Sequence, residues 1–187
     1  ERFIKYKPSV VNRLDNNTCG IILAAKTLSG AKYLSDIIKD RKIEKKYLAI
    51  VHGRFEHEGR SILYIDKDKK NNIVSVSEAQ GQGKKEIVTD FKCKRCFNDP
   101  RTKRLLSEVE AIIHTGKSHQ IRSALRFYSH PIVFDTKYGD MDADKDLRAS
   151  YGYSGGQLLV SYEVTLPEGI KITSHLPKIY ESMTGGV

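Results

Sequence analysis

A carboxylate and a guanidinium lie two residues apart in Asn12-Arg13-Leu14-Asp15-Asn16-Asn17-Thr18-Cys19-Gly20, a polar turn set between apolar stretches. Catalytic and binding groups concentrate on such turns, which a rigid scaffold positions. Asn16, Asn17 and Gly20 tolerate the tight or left-handed backbone that the turn demands. An ordinary Asx-turn, with Asp15 bonding its own backbone, would look the same in sequence. A second group of polar residues runs Thr115-Gly116-Lys117-Ser118-His119-Gln120-Ile121-Arg122 and leads into a helix with two faces. Ile121, Ala124, Leu125 and Tyr128 fall at helical spacing as an apolar stripe, and His119, Arg122, Ser123 and Arg126 repeat that spacing on another face. Standing alone, such a face reads as solvated arginines.

Cys93 and Cys96 form a C-x2-C pair, with His114 and His119 downstream. The spacing resembles a zinc finger only loosely, because the gap from Cys96 to His114 is long and Leu105 to Ile113 reads as a strand where a finger begins its helix. The two cysteines are therefore expected to be structural thiols in a strand, with no metal. Gly81-Gln82-Gly83 lacks the strand-to-helix context of a dinucleotide fingerprint, and no organic cofactor is expected. Three cysteines without a secretory signal indicate a reducing, cytoplasmic setting.

These groups need elements to hold them. Thr27 caps an expected helix carrying Leu28, Ala31, Leu34 and Ile38 on one face, after a strand at Gly20 to Ala25. Lys46 to Val51 is almost continuously apolar up to Gly53, as expected of a central strand covered on both faces. Further strands are expected near Ser61 to Ile65, Ile73 to Ser77, Glu86 to Cys93, Leu105 to Ile113 and Leu158 to Leu166, with a turn at Asn71-Asn72. Gly139 to Gly156, rich in Asp and Gly, reads as a mobile loop. Most connections are too short for helical crossovers, so the fold class is α+β: a mixed, mainly antiparallel sheet with a few packed helices.

The 187 residues fit one domain spanning 1–187, with no second one. The chain starts at Glu1 rather than methionine, so a domain truncated at its N-terminus is expected. No apolar run approaches the roughly 20 residues that cross a bilayer. Lys and Arg number 32 against 23 Asp and Glu, a net charge of +9 that suits a phosphate-bearing partner.

With these residues in view, the sequence resembles the RluA family of RNA pseudouridine synthases. Asn12 to Gly20 is similar to the family's H-R-L-D-x-x-T-S-G signature, and Thr115 to Arg122 to its T-G-R-x-H-Q-I-R motif. Lys46-Tyr47-Leu48-Ala49, and His130-Pro131-Ile132-Val133 through Tyr138-Gly139-Asp140, resemble two further landmarks in the family's order. The resemblance implies the pseudouridine synthase catalytic fold and isomerisation of a uridine in RNA, most often large-subunit ribosomal RNA, by a monomer without metal or membrane. Transfer RNA is the alternative substrate.

By motif position the resemblance makes Asp15 the essential carboxylate and nucleophile. Bonding to the sugar, attack on the base and proton abstraction all remain open for it. Arg122 then pairs with that carboxylate, and Tyr47 packs against the displaced uracil. Arg13 contacts RNA around the target nucleotide, while Lys117, His119 and Arg126 are expected to bind RNA. Asn12, Cys19 and Lys117 replace a histidine, a serine and an arginine of the pattern; Ser129 and Phe134 stand where glycines are common, and Val160-Ser161 replaces a His-Ala pair. Two rival classes are a non-catalytic RNA-binding domain on this scaffold and a zinc-dependent hydrolase or deaminase. The first has no need of an acid beside an arginine; the second lacks the H-x-E and P-C-x-x-C motifs.

Overall fold

A computed structural model describes residues 6–68 and 73–185. The turn expected at Asn71-Asn72 lies outside the described residues. Along the chain run β1 (Ser9–Val10), β2 (Cys19–Gly20), β3 (Ala24–Ala25), α1 (Leu28–Lys39), β4 (Glu44–His52), β5 (Gly59–Asp68) and β6 (Ile73–Ser77). They are followed by β7 (Lys85–Asn98), β8 (Leu105–Ile113), α2 (Gln120–Phe127), α3 (Met141–Tyr151), β9 (Leu159–Thr165), β10 (Lys171–Thr173) and α4 (Lys178–Thr184).

Seven strands form an antiparallel path, β10-β9-β4-β8-β7-β5-β6, and β2 adds to β9 in parallel, making an eight-stranded sheet. β1 and β3 pair separately. The expected mixed α+β architecture is thus observed, and β6 and β8 occupy the expected ranges.

β4 is the organising strand. Tyr47 through Val51 are all buried, because the strand has cover on both faces. Tyr47, Ala49 and Val51 point into one cluster with Ile121, Ala124 and Leu125 of α2. Leu48 and Ile50 point into the other, with Leu147 of α3 and Tyr180 and Met183 of α4. Period-two alternation therefore sorts one apolar run into two cores.

Three expectations are corrected. Gly20 to Ala25 is not one strand: Gly20 has φ +110, and the segment splits between two partners, β2 joining β9 and β3 joining β1. On α1, Thr27 caps as expected by accepting from Gly30 N, but Leu28 is 71% exposed and Ile37 is the buried residue.

The third correction is larger. Gly139 to Gly156 contains α3, not a loop. Asp140 caps it by accepting from Ala143 N, Asp142 and Asp144 sit in the first turn, and Gly152 closes it in the left-handed conformation. Aspartates at the start and glycine at the end are helix boundary signals, and the completely buried Leu147 anchors the helix to the core.

Candidate active site

Thr18 N–H donates to the Asp15 carbonyl at 3.0 Å, and Asn17 takes φ 65, so the backbone itself makes the turn. The Asp15 carboxylate is left to face a cavity of ≈ 240 Å³. Three contacts hold the turn in place. Gln157 Nε2 donates to Asn16 O at 2.8 Å and to Thr18 Oγ1 at 3.0 Å. Leu23 N–H donates to Asn12 Oδ1 at 2.7 Å, which gives the asparagine at this position a structural use. Gly20 lies so near β9 that a Cβ there would meet Ser161 O at 2.2 Å.

The opposite wall is the start of α2. Gln120 fixes it: its Oε1 accepts from Thr115 Oγ1 at 2.8 Å and Lys117 N at 3.2 Å, and its Nε2 donates to Val88 O and Thr89 Oγ1. Both polar atoms of this buried amide are thereby engaged, the oxygen with the segment that enters α2 and the nitrogen with β7. Two residues further along the helix, Arg122 is only 5% exposed. Its Nη1 lies 3.8 Å from Asp15 Oδ2.

Arg122 has a tighter partner. Its Nε and Nη2 each donate to an oxygen of Asp135 at 2.7 Å. Asp135 also accepts from Lys137 N and Tyr138 N. Burial alone would lower the Arg122 pKa, but the hydrogen bonds and charge of Asp135, then the charge of Asp15, raise it. Burial alone would likewise raise the Asp135 carboxyl, and Arg122 with the Tyr138 and Lys137 amides holds it below the usual range. The two form a fixed ion pair, with Nη1 left over toward Asp15.

Tyr47 lines the same cavity and is 8% exposed. Burial raises its phenol, against a hydrogen bond from Ser161 that lowers it. The cavity thus brings together Asp15, Tyr47 and Arg122, from segments more than thirty residues apart in sequence. Leu14, Ile113, Ile121 and Leu159 give it apolar walls, so a planar base could be held against them with the carboxylate at one edge.

The sequence of RNA pseudouridylate synthases, taken as a family profile, matches residues 2–127 of this chain. The chain belongs to this family. An RNA pseudouridine synthase of Mycoplasma genitalium, itself uncharacterised, is 30% identical over 165 residues, covering 88% of this chain and 49% of that protein. Ribosomal large subunit pseudouridine synthase C of Buchnera aphidicola is 37% identical over 134 residues, 70% of this chain and 39% of that one. tRNA pseudouridine synthase C of Pasteurella multocida is 33% identical over 148 residues, 76% and 60% respectively. The chain spans about half or less of the length of the first two. The solved structure of human RNA pseudouridylate synthase domain containing 1 superposes with a TM-score of 0.75 over 91% of this chain and 70% of its own, at 22% identity, a likeness of fold.

The expected RNA-facing residues divide in this geometry. Arg13 and Lys117 are exposed and line the cavity mouth. Arg126 is exposed farther along α2, outside the cavity lining. His119 is buried, with Nδ1 2.8 Å from Tyr138 Oη. Burial lowers its pKa, opposed by the charge of Asp15 and assisted by that of Arg122.

The four residues of the zinc reading do not gather into one site. Cys93 and Cys96 contact each other, His114 pairs with Asp90 at 2.7 Å, and His119 pairs with Tyr138. Among the described residues no group of three or more metal-ligating side chains gathers.

Three site residues escaped the sequence reading. Asp135 carried a faint signal, a lone carboxylate after the apolar run Pro131 to Phe134. Ser161 was noticed only as a departure from the family pattern. Lys45 lines the cavity two residues before Tyr47, and burial lowers its pKa. Among the described residues it has no ion pair, and nothing but its place on the Tyr47 face of β4 distinguishes it from Lys46, which pairs with Glu163 at 3.2 Å.

Proposed function

We propose that the chain isomerises uridine to pseudouridine in RNA, with large-subunit ribosomal RNA as substrate and Asp15 as the nucleophilic carboxylate. The observation that carries this reading is the Asp15 carboxylate facing an apolar-walled cavity within reach of the Arg122 guanidinium. In the reaction the N1–C1′ bond breaks, the uracil turns, and a C5–C1′ bond forms; the proton leaving C5 is balanced by one gained at N1. No atom enters or leaves, so no co-reactant is needed. Asp15 supplies the carboxylate, Arg122 lies beside it to orient it, and Tyr47 gives the displaced base an aromatic neighbour. Arg13 and Lys117 meet the phosphates flanking the target. The name of the Buchnera relative supports ribosomal RNA. The reading carries with it a cytoplasmic monomer. Among the described residues no helix is long and apolar enough to cross a membrane.

The test compares wild type with Asp15→Asn on ribosomal RNA lacking its modifications, with pseudouridine mapped chemically. Pseudouridine made by wild type alone supports the reading, and its position names the uridine. Product on transfer RNA only moves the substrate to the class named for the Pasteurella relative. Product from both proteins removes Asp15, and product from neither, on either RNA, removes the activity.

A further inference from the structure

Cys93 and Cys96 both lie on β7, where regular alternation would send residues three apart to opposite faces. The pairing with β8 instead shifts register: Cys93 faces Val109, Arg95 faces Glu108 and Cys96 faces Ser107. Lys94 is the extra residue of a β-bulge, and bulges re-aim side chains. This one turns both thiols to the same side, with Sγ–Sγ at 3.6 Å. Both cysteines are free and half-exposed. A disulfide bond then needs the sulfurs to close by only about 1.5 Å.

The two thiols have different surroundings. Burial, then the neighbouring Cys96 and the charge of Glu58, pushes the Cys93 thiol up to about 11. The Glu58 carboxylate is held there by the Cys93 N–H at 3.0 Å. Cys96 lies 3.3 Å from Ser107 Oγ. That hydroxyl outweighs burial, and with Cys93 and the positive charge of Arg54 it lowers the Cys96 thiol. One sulfur is thus prepared to attack and its neighbour to resolve.

We propose that Cys93 and Cys96 are a redox-active dithiol that reacts reversibly with small-molecule disulfides of the glutathione class. Cys96 gives up its proton and attacks one sulfur of the disulfide RSSR, forming Cys96–S–S–R and expelling RS⁻, which takes up a proton. Cys93 then loses its proton and attacks Cys96 Sγ, forming the Cys93–Cys96 bond and expelling the second RS⁻. The protein gives two electrons and two protons, and RSSR becomes two RSH. Neither thiol lines the Asp15 cavity, so this proposal is independent of the uridine reading.

The reduced, folded protein is incubated with oxidised glutathione, quenched with an alkylating agent, and analysed by intact mass and peptide mapping. The expected product has lost two hydrogens and carries a Cys93–Cys96 link, with any glutathione confined to the exposed Cys19. Cys93→Ser should stop at a stable mixed disulfide on Cys96. In Cys96→Ser, Cys93 should react roughly tenfold more slowly than Cys96 does in Cys93→Ser. In denaturant, where the bulge is lost, the link should form more slowly than in the folded protein. Glutathione on Cys93 and Cys96 without a link, or linking at the same rate in the denatured chain, would overturn the proposal. Equal reactivity of the two single variants would remove the assigned order of attack.

Discussion

Arg122 gives two nitrogens to Asp135 at 2.7 Å and only its third toward Asp15, at 3.8 Å. The arginine is therefore first a partner of a completely buried carboxylate and second a neighbour of the cavity carboxylate. Asp135 can aim Arg122 without itself reaching the cavity.

This arrangement changes what loss of Arg122 should do. An arginine that served the Asp15 carboxylate alone would cost rate more than folding when lost. With Asp135 left unpaired in the core, the expected destabilisation is about 3–5 kcal/mol. Asp135→Asn, which keeps the shape, should also destabilise and should lower turnover in the fraction that remains folded. Urea denaturation of both variants beside pseudouridine assays measures the two effects; wild-type stability in either variant would contradict the buried pair.

Lys45 offers a cation to the cavity that no side chain among the described residues neutralises. Lys45→Met should leave the fold at least as stable, since a partly desolvated charge is removed. It should weaken RNA binding and lower the slope of log K against log salt by about 1. An unchanged slope would take Lys45 out of phosphate contact.

His119 makes stability depend on pH. Its folded pKa lies below the unfolded value of about 6.5, so the unfolded chain binds the proton more readily. The contribution is fully present above the unfolded pKa and is lost as pH falls through the lower folded value. Replacing His119 with Gln should therefore flatten the fall in urea midpoint between about pH 7 and the folded pKa. Identical pH profiles for variant and wild type would refute this.

Ser129 takes φ 63 just past α2, where His130 N–H bonds Leu125 O at 2.9 Å in a Schellman-type closure. Glycine adopts that conformation freely, so Ser129→Gly should stabilise by about 1 kcal/mol, raising Tm by roughly 2–4 °C. Phe134 has φ 65 as well, but its buried ring packs on Tyr153 at 4.9 Å and under Arg148 at 4.6 Å. Phe134→Gly should therefore destabilise, by about 3 kcal/mol or more. A calorimetric comparison of the two variants checks the opposite signs.

Both positions stand where the family pattern often has glycine, and both adopt the left-handed backbone that glycine favours.

What the sequence determined by itself rested on local periods and contiguous motifs. The apolar run of β4, the strands β6 and β8, the Thr27 cap, and the segments bearing Asp15, Tyr47 and Arg122 were legible because each signal fits within about a dozen residues. α3 shared that kind of signal in its Asp140 and Gly152 caps, and was obscured by a loop-like composition. Only the tertiary structure decided the rest. Asp135 as the firm partner of Arg122, Ser161 beside Tyr47, Lys45 rather than Lys46 in the cavity, and Cys93 beside Cys96 all depend on pairings or a bulge set by neighbouring strands. A one-residue change of register reverses which side chains face the site, and that register is fixed by long-range pairing and packing that no local pattern encodes.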